Sequence, residues 1–256
     1  MVEEKRPVVS IVTPVYNVKK FIRETMDCVR AQTFEAWEML LVEDGSTDGT
    51  PEETQRYLDE TGESRIRLIR QEDNGGAARA RNRGVKESRG RFIAYVDADD
   101  LWEPDKLNRQ LRFMEERKAA FSFTGYEFAD ENGKGTGKVV KVPETINYKE
   151  ALKNTTIFTS TVMFDSEQIP KEELMMPEIK SEDTALWWKV LRSGRVAYGL
   201  NENLVKYRRA GKSLSSNKLE AIRRIWNLYR KAEGMSILSS CWHFCFWAIR
   251  AVKRRV

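Results

Sequence analysis

Asp97-Ala98-Asp99-Asp100 closes an apolar run, Phe92-Ile93-Ala94-Tyr95-Val96. Side chains two apart on an extended chain point the same way, so Asp97 and Asp99 can converge on one hard cation. Magnesium and manganese prefer oxygen ligands, often few of them from protein, with substrate phosphates supplying others. An acidic pair after a strand is also an ordinary turn. Val42-Glu43-Asp44-Gly45-Ser46 sets a second carboxylate at the end of another apolar run. There Asp44 can accept an N–H from a nucleobase, or simply shape a helix-capping turn. Asn74-Gly75-Gly76 opens a helix carrying Arg79, Arg81 and Arg83. Helix N-termini and arginines both suit phosphate, although paired glycines before a helix are also turn chemistry. Asp183, in Ser181-Glu182-Asp183-Thr184, is placed either to take a proton or to sit beside a helix dipole.

The elements that must position these groups alternate between two periods. Val8–Val12, Met39–Val42, Ile66–Ile69 and Phe92–Val96 are short apolar runs that suit buried strands. Helical spacing fills Val18–Gln32, and Gly75-Gly76 opens a helix to about Ser88. Pro104 begins another helix, with Leu107, Leu111 and Met114 on one face. Thr50, Pro51 and Glu53 predict a helix start with Thr50 as N-cap and Glu53 completing a capping box. Strand then helix at this pace means βαβ units, an α/β chain with a mainly parallel sheet and helices on both faces. Ligands bind beyond the carboxyl ends of such strands, and each polar cluster above falls at one. Beyond residue 120 the spacing predicts strands at Phe121–Phe128, Thr159–Phe164, Val196–Tyr198 and Leu204–Tyr207. It also predicts a hairpin turn at Asn132-Gly133 and a helix over Glu182–Ser193.

The 256 residues are 41% hydrophobic and 32% charged, which excludes a disordered chain or a multi-span membrane protein. A single histidine, His243, nearly rules out a multi-histidine metal centre. Three cysteines without a CxxC pair argue against a disulfide framework or a structural zinc site. Without an apolar leader in MVEEKRPVV the chain reads as cytoplasmic. The net charge of +5 is uneven. Residues 206–256 hold thirteen Lys and Arg against two Glu, so an acidic body carries a basic tail.

Four ordered stretches carry a resemblance: Ser10 to Asn17 (SIVTPVYN), Val42 to Thr50 (VEDGSTDGT), Asn74 to Gly84 (NGGAARARNRG) and Gly90 to Asp100 (GRFIAYVDADD). A fifth is Ser181 to Trp188. Over about residues 7–210 the sequence resembles the family-2 glycosyltransferases, and among them those building bacterial surface polysaccharides of the teichuronic-acid type. The resemblance implies a GT-A fold and a metal-dependent, inverting transfer of a sugar from a nucleotide-sugar donor, a UDP-sugar. It implies that Pro14 and Tyr16 line the nucleotide pocket and that Asp44 accepts from the base. Asn74 and Arg81 would lie on the donor's side. Asp97 and Asp99 form the DxD signature, with Asp99 as the direct ligand of Mn2+ or Mg2+, and Asp183 matches the catalytic base. Such an acceptor would be a saccharide or an undecaprenyl-diphosphate-linked precursor. Family members often carry a histidine after the last core strand, whereas here Tyr207 to Ser215 has none. Arg208, Lys212 and Ser213 are the candidates to replace it as a mobile phosphate-binding lid, the alternative being a solvated basic loop.

Residues 1–215 are expected to form the catalytic domain, and 216–256 a pair of basic amphipathic helices. Ile237–Val252 is too short and polar for an ordinary span. Its aromatics and flanking cations suit an interfacial helix on the inner face of an anionic membrane, or a helix pair packed on the catalytic domain or on a second subunit of a homo-oligomer. Two rival functions fit the sequence less well. A nucleotidyltransferase would need a glycine-rich phosphate loop after the first strand, which Thr13-Pro14-Val15-Tyr16-Asn17 does not supply. A non-enzymatic membrane- or nucleic-acid-binding module leaves the strand-end carboxylates unexplained, and no nucleic-acid partner is expected.

Overall fold

The computed structural model describes residues 6–153, 156–209 and 218–255. Strands β1 (Val9–Val15), β2 (Trp37–Glu43), β3 (Ile66–Arg70) and β4 (Phe92–Tyr95) pair in parallel in the order β3-β2-β1-β4. Between them run α1 (Ile22–Arg30), α2 (Thr50–Thr61) and α3 (Gly76–Glu87). The second half adds β5 (Leu101–Trp102), α4 (Lys106–Arg117), β6 (Phe121–Ala129), β7 (Gly135–Val140), β8 (Thr145–Ile146) and α5 (Tyr148–Ala151). It continues through β9 (Met163–Asp165), α6 (Glu182–Arg192), β10 (Ala197–Arg208), α7 (Lys218–Asn227) and α8 (Ile237–Arg255). β9 lies between β4 and β6 and is antiparallel to both. β10 runs parallel to β6, and β5 closes the order antiparallel to β10.

Alternation along the buried strands feeds two cores, one on each face of the sheet. Val12, Leu40, Ile93 and Tyr95 share one cluster with Val85 of α3 and Leu186 and Trp187 of α6. Ile11, Met39, Leu41 and Ala94 share the other with Met26 of α1 and Leu107 and Leu111 of α4. α3 lies unusually close to β1. A Cβ built on Gly84 would sit 2.4 Å from Val12 Cγ1, which explains a glycine inside a helix at the end of the NGGAARARNRG stretch.

Three sequence expectations change. The N-cap of α2 is Gly49, at φ 86°, not Thr50. The Asp48 carboxylate accepts from the Thr50 backbone N–H at 3.0 Å, and Glu53 turns to Arg23 instead of back to the cap. The run Thr159–Phe164 is split: Thr159–Thr161 form a 3-10 turn and only Met163–Asp165 is strand. The two short strands near the end are one long strand, β10, whose register with β6 shifts between Leu200 and Asn203 and again before Lys206. The polar Asn201-Glu202-Asn203 breaks the apolar pattern there without ending the strand.

The C-terminal helices pack on the catalytic body. Ile225, Leu228 and Tyr229 join the core on the α3 and α6 face, with Phe244 and Trp247 against it. Tyr229 stacks on Trp188 with ring centroids 5.1 Å apart, and its hydroxyl donates to the Leu152 carbonyl. Arg192 of α6 pairs with Glu233 at 3.1 Å. The outer side of α8 stays uncovered within this chain: Leu238, Cys241, Trp242, Cys245 and Ile249 are exposed. Those positions follow helical spacing along one side. Among the described residues no helix is long and apolar enough to cross a membrane.

One buried amine stands apart from the site. Lys106 is fully buried at the start of α4, its Nζ without a hydrogen-bond partner among the described residues and 3.6 Å from the centroid of the Trp102 ring. Burial holds the amine well below its ordinary pKa, against an opposing pull from Cys28. Between that depressed value and about 10.4, the unfolded chain binds a proton that the folded chain does not. Stability of the wild type is therefore expected to rise with pH across that window. Lys106→Met should remove this slope and, by relieving an unpaired buried polar group, stabilise the fold at neutral pH by about 1–3 kcal/mol. Chemical denaturation at several pH values checks this, and an unchanged slope in the variant would contradict it.

Candidate active site

The strand-end clusters meet at the carboxyl edge of the parallel sheet. Asp97 follows β4, and Asp183 stands in the first turn of α6 beside Glu182. Arg81 of α3 joins the two regions. Its Nη2 lies 2.6 Å from Asp97 Oδ1 and its Nη1 lies 2.8 Å from Glu182 Oε1. The guanidinium is buried, with Nε unpartnered among the described residues. Burial on its own lowers the arginine's pKa, but the Asp97 and Glu182 charges outweigh it and hold the value above the ordinary range. Burial and the neighbouring Asp183 raise the Glu182 carboxyl, against Arg81.

Asp183 is held by two donors. Thr159 Oγ1 donates to Oδ2 at 3.1 Å, and the Thr184 N–H donates to Oδ1 at 2.6 Å. The helix that carries it is fixed from below, where Trp187, one turn on, packs against Phe121 and Phe164 with centroids 5.6 Å away from each. Ser181, at φ 63°, turns the chain into α6. The 3-10 turn binds both acidic clusters at once. Thr159 reaches Asp183, while Ser160 Oγ accepts from the Asp97 N–H at 3.0 Å and donates to Asp100 Oδ2 at 2.5 Å. Sequence reading missed this role, and the one available signal was three hydroxyl residues, Thr159-Ser160-Thr161, inside an otherwise apolar run.

Asp99 is partly buried and makes no ion pair among the described residues. Burial, then the charge of Asp97, pushes its carboxyl up to about 6. Asp100 is fully buried and driven well above the usual carboxylate range by burial and the same neighbours. Asp97 is compensated by Arg81 and Asp100 by the Ser160 hydroxyl and the Arg208 N–H, which leaves Asp99 as the carboxylate without a close partner among the described residues. Asp97 gives one oxygen to Arg81, and Asp99 keeps its carboxylate available. Two adjacent hard-oxygen groups in excess of nearby positive charge fit a divalent cation that takes few protein ligands and completes its shell with phosphate and water. Among the described residues no group of three or more acidic, His or Cys side chains surrounds such a position.

On the other side, the turn after β2 is stapled to the turn after β1. The Asn17 N–H donates to Ser46 Oγ at 3.1 Å, and the Thr47 N–H donates to Asn17 Oδ1 at 2.8 Å. Pro14 is half-buried in β1, and Tyr16, just beyond it, is 49% exposed. Asn74 is exposed and close against Gly45. Asp44 is buried, and its carboxylate accepts from Gln71 Nε2 at 2.5 Å and from the Gly75 and Gly76 N–H groups at 2.8 Å each. In this structure it therefore braces the entry to α3, where Gly76 takes φ 80°.

Arg208 departs most from expectation. It ends β10 with its side chain buried, not on a mobile lid. Nε donates to the Asp99 carbonyl at 2.8 Å, Nη1 to the Glu131 carbonyl at 2.9 Å and Nη2 to Glu24 Oε2 at 2.6 Å. Its backbone N–H donates to Asp100 Oδ1 at 3.1 Å. Arg208 thus clamps the acidic turn from behind. Lys212 and Ser213 lie outside the described residues.

Residues 10–166 match the profile of glycosyl transferase family 2. TuaG of Bacillus subtilis (strain 168), named for teichuronic acid biosynthesis, is 42% identical over 252 residues, covering 98% of both chains. WfgD of Escherichia coli, named as a UDP-Glc:alpha-D-GlcNAc-diphosphoundecaprenol beta-1,3-glucosyltransferase, is 35% identical over 222 residues, covering 86% of this chain and 84% of its own. Among solved structures, S. aureus TarS 1-349 in complex with UDP-GlcNAc superposes with a TM-score of 0.70 at 21% identity, covering 94% of this chain and 72% of that one. The mannosyltransferase PcManGT of Pyrobaculum calidifontis, in complex with GDP-Man and Mn2+, gives 0.72 at 17% identity, covering 98% and 75%. A profile match over more than half the chain and a relative aligned along nearly its whole length make the membership plain: this chain is a family 2 glycosyltransferase with the GT-A fold.

Proposed function

We propose that the enzyme moves a sugar from a UDP-sugar to a hydroxyl of a lipid-diphosphate-linked saccharide, inverting the anomeric centre. The observation that carries this reading is the joining of the Asp97 and Asp99 turn to the Glu182-Asp183 turn through Arg81 and the Thr159-Ser160 hydroxyls. Asp183 is the base that takes the proton from the acceptor hydroxyl as it attacks. With one base and direct displacement, no covalent enzyme intermediate forms and an α-linked donor yields a β-linked product. Asp99, with Asp97, would hold Mn2+ or Mg2+, which when bound neutralises charge developing on the leaving diphosphate. Tyr16, Pro14 and Asn74 line the nucleotide side, with Asp44 shaping the loop that holds Asn74. The activity for which WfgD is named supports the UDP-sugar and the lipid-diphosphate acceptor. The bound Mn2+ of PcManGT supports the metal. The exposed apolar side of α8 and the basic tail support a peripheral position on the inner face of the membrane.

Asp99→Asn tests the metal assignment. An amide lacks the charge that holds a cation, so the variant should lose most transfer activity and its metal-dependent donor affinity. Transfer rates are measured with and without chelator, beside donor titrations with and without Mn2+. Wild-type turnover by the variant, or undiminished turnover of the wild type in excess chelator, would sink the assignment.

A further inference from the structure

A cleft of about 580 Å³ lies between the segment that leads into α6 and the helix α7. Among the described residues, none of those implied for the donor side lines it. Its walls include Lys180, Arg223, Arg224 and Lys231, with Ile179 and Leu228 supplying an apolar side. One carboxylate, Glu220, shares it and pairs with Lys180 at 2.7 Å. Among the described residues that line it, four cations stand against one acid, a positive recess where the basic tail meets the acidic body. A diphosphate, with its dense charge and many acceptor oxygens, matches such a set of arginines and lysines.

The position of the cleft is as informative as its charge. Lys180 precedes Asp183 by three residues, so its Cα is within about 11 Å of that of Asp183. A sugar whose hydroxyl meets Asp183 can thus carry an anomeric phosphate toward Lys180. The donor's diphosphate belongs to the Asp97 and Asp99 turn, neither of which lines this cleft, so a second polyanion site near the base calls for a second phosphorylated substrate. The adjoining α8, joined to α7 through Trp226 and Phe244, bears the exposed apolar side chains that a lipid tail needs.

We propose that this cleft binds the diphosphate of the lipid-linked acceptor, with Arg223, Arg224, Lys180 and Lys231 as its ligands and the exposed Ile179 meeting the start of the lipid chain. The proposal rests on the acceptor class inferred above and assigns it a place. Glu220 would yield Lys180 to the incoming phosphate.

The test is calorimetric titration of the full chain with farnesyl diphosphate, with farnesol, and with phosphatidylcholine vesicles with and without phosphatidylglycerol. The wild type should bind farnesyl diphosphate and bind farnesol at least about tenfold more weakly, because the charged contacts carry the affinity. The exposed pair is changed together, Arg223→Glu with Lys231→Glu, and farnesyl diphosphate affinity should fall at least about tenfold. Arg223→Gln with Lys231→Gln serves if the charge reversals disturb the fold, and should give a smaller loss in the same direction. Unchanged farnesyl diphosphate affinity in folded variants overturns the assignment. So does a variant that loses only vesicle binding, since the cleft would then read phospholipid headgroups. UDP binding by the wild type is measured alongside, so that failure of the donor reading is distinguishable from failure of the cleft.

Discussion

Asp183→Asn is expected to lower sugar transfer by roughly 10²–10⁴-fold, the range for losing a positioned general base, while donor affinity stays close to wild type. The substitution is nearly isosteric. An asparagine carbonyl can still accept from Thr159 Oγ1 or from the Thr184 N–H, the two donors that hold the carboxylate. Packing of Trp187 against Phe121 and Phe164 keeps α6 in place whatever residue 183 is. What disappears is the charge and the ability to take a proton. Glu182 loses a repelling neighbour and keeps its ion pair with Arg81. Donor affinity by calorimetry beside the transfer rate separates the cases. A collapse of affinity with a residual rate that follows occupancy would make Asp183 a binding or structural residue.

Arg81→Met is expected to destabilise the fold by about 3–5 kcal/mol, because it removes one partner of a buried charge cluster and leaves Asp97 and Glu182 uncompensated. For a chain of this size that is a fall in Tm on the order of 10 °C. Arg81→Lys should recover part of it. An ammonium can meet one of the carboxylates but cannot span both as the planar guanidinium does. Thermal unfolding of the three proteins at one pH decides this. A methionine variant within a degree or two of wild type would mean that the bridge adds little. The consequence for activity follows from the same geometry, since Arg81 is the direct link between the DxD turn and the helix bearing the proposed base.

The strand-end clusters were legible because their chemistry is local: a short apolar run, then carboxylates within four residues. Asp97 follows a strand and Asp183 opens a helix as the periodicity implies, whereas Asp99 sits in a turn and not on the extended chain that would align it with Asp97. What sequence could not show is contact across distance. Arg208 read as part of a mobile phosphate-binding lid because it stands where the resemblance implies a histidine after the last core strand. Its partners, Glu24 and the carbonyls of Asp99 and Glu131, lie 184, 109 and 77 residues away. Asp44 was expected to accept from a base, and sequence could not show that Gln71, Gly75 and Gly76, 27 to 32 residues on, also donate to it. The hydroxyls of Thr159 and Ser160 hid inside a predicted strand because period-two spacing looks alike whether the chain extends or coils through one tight turn. The same limit applied to the tail. Its aromatics and cations suit a bilayer, and only the three-dimensional contacts show that Tyr229, Phe244 and Trp247 pack against the protein itself.

The placement of β9 has a consequence for how the chain emerges from the ribosome. β3, β2, β1 and β4 can pair as soon as residue 95 is made, but the free side of β4 has no partner until Met163–Asp165 arrives. The intervening stretch of roughly 70 residues takes about 4–14 s to synthesise at about 5–20 residues per second. During that interval a buried-type strand presents unpaired amides and carbonyls, a template for association with another chain. β6 waits for the same short segment on its own flank. Three residues therefore seal two open edges, and nascent chains that stall before them are the ones that should need chaperone cover.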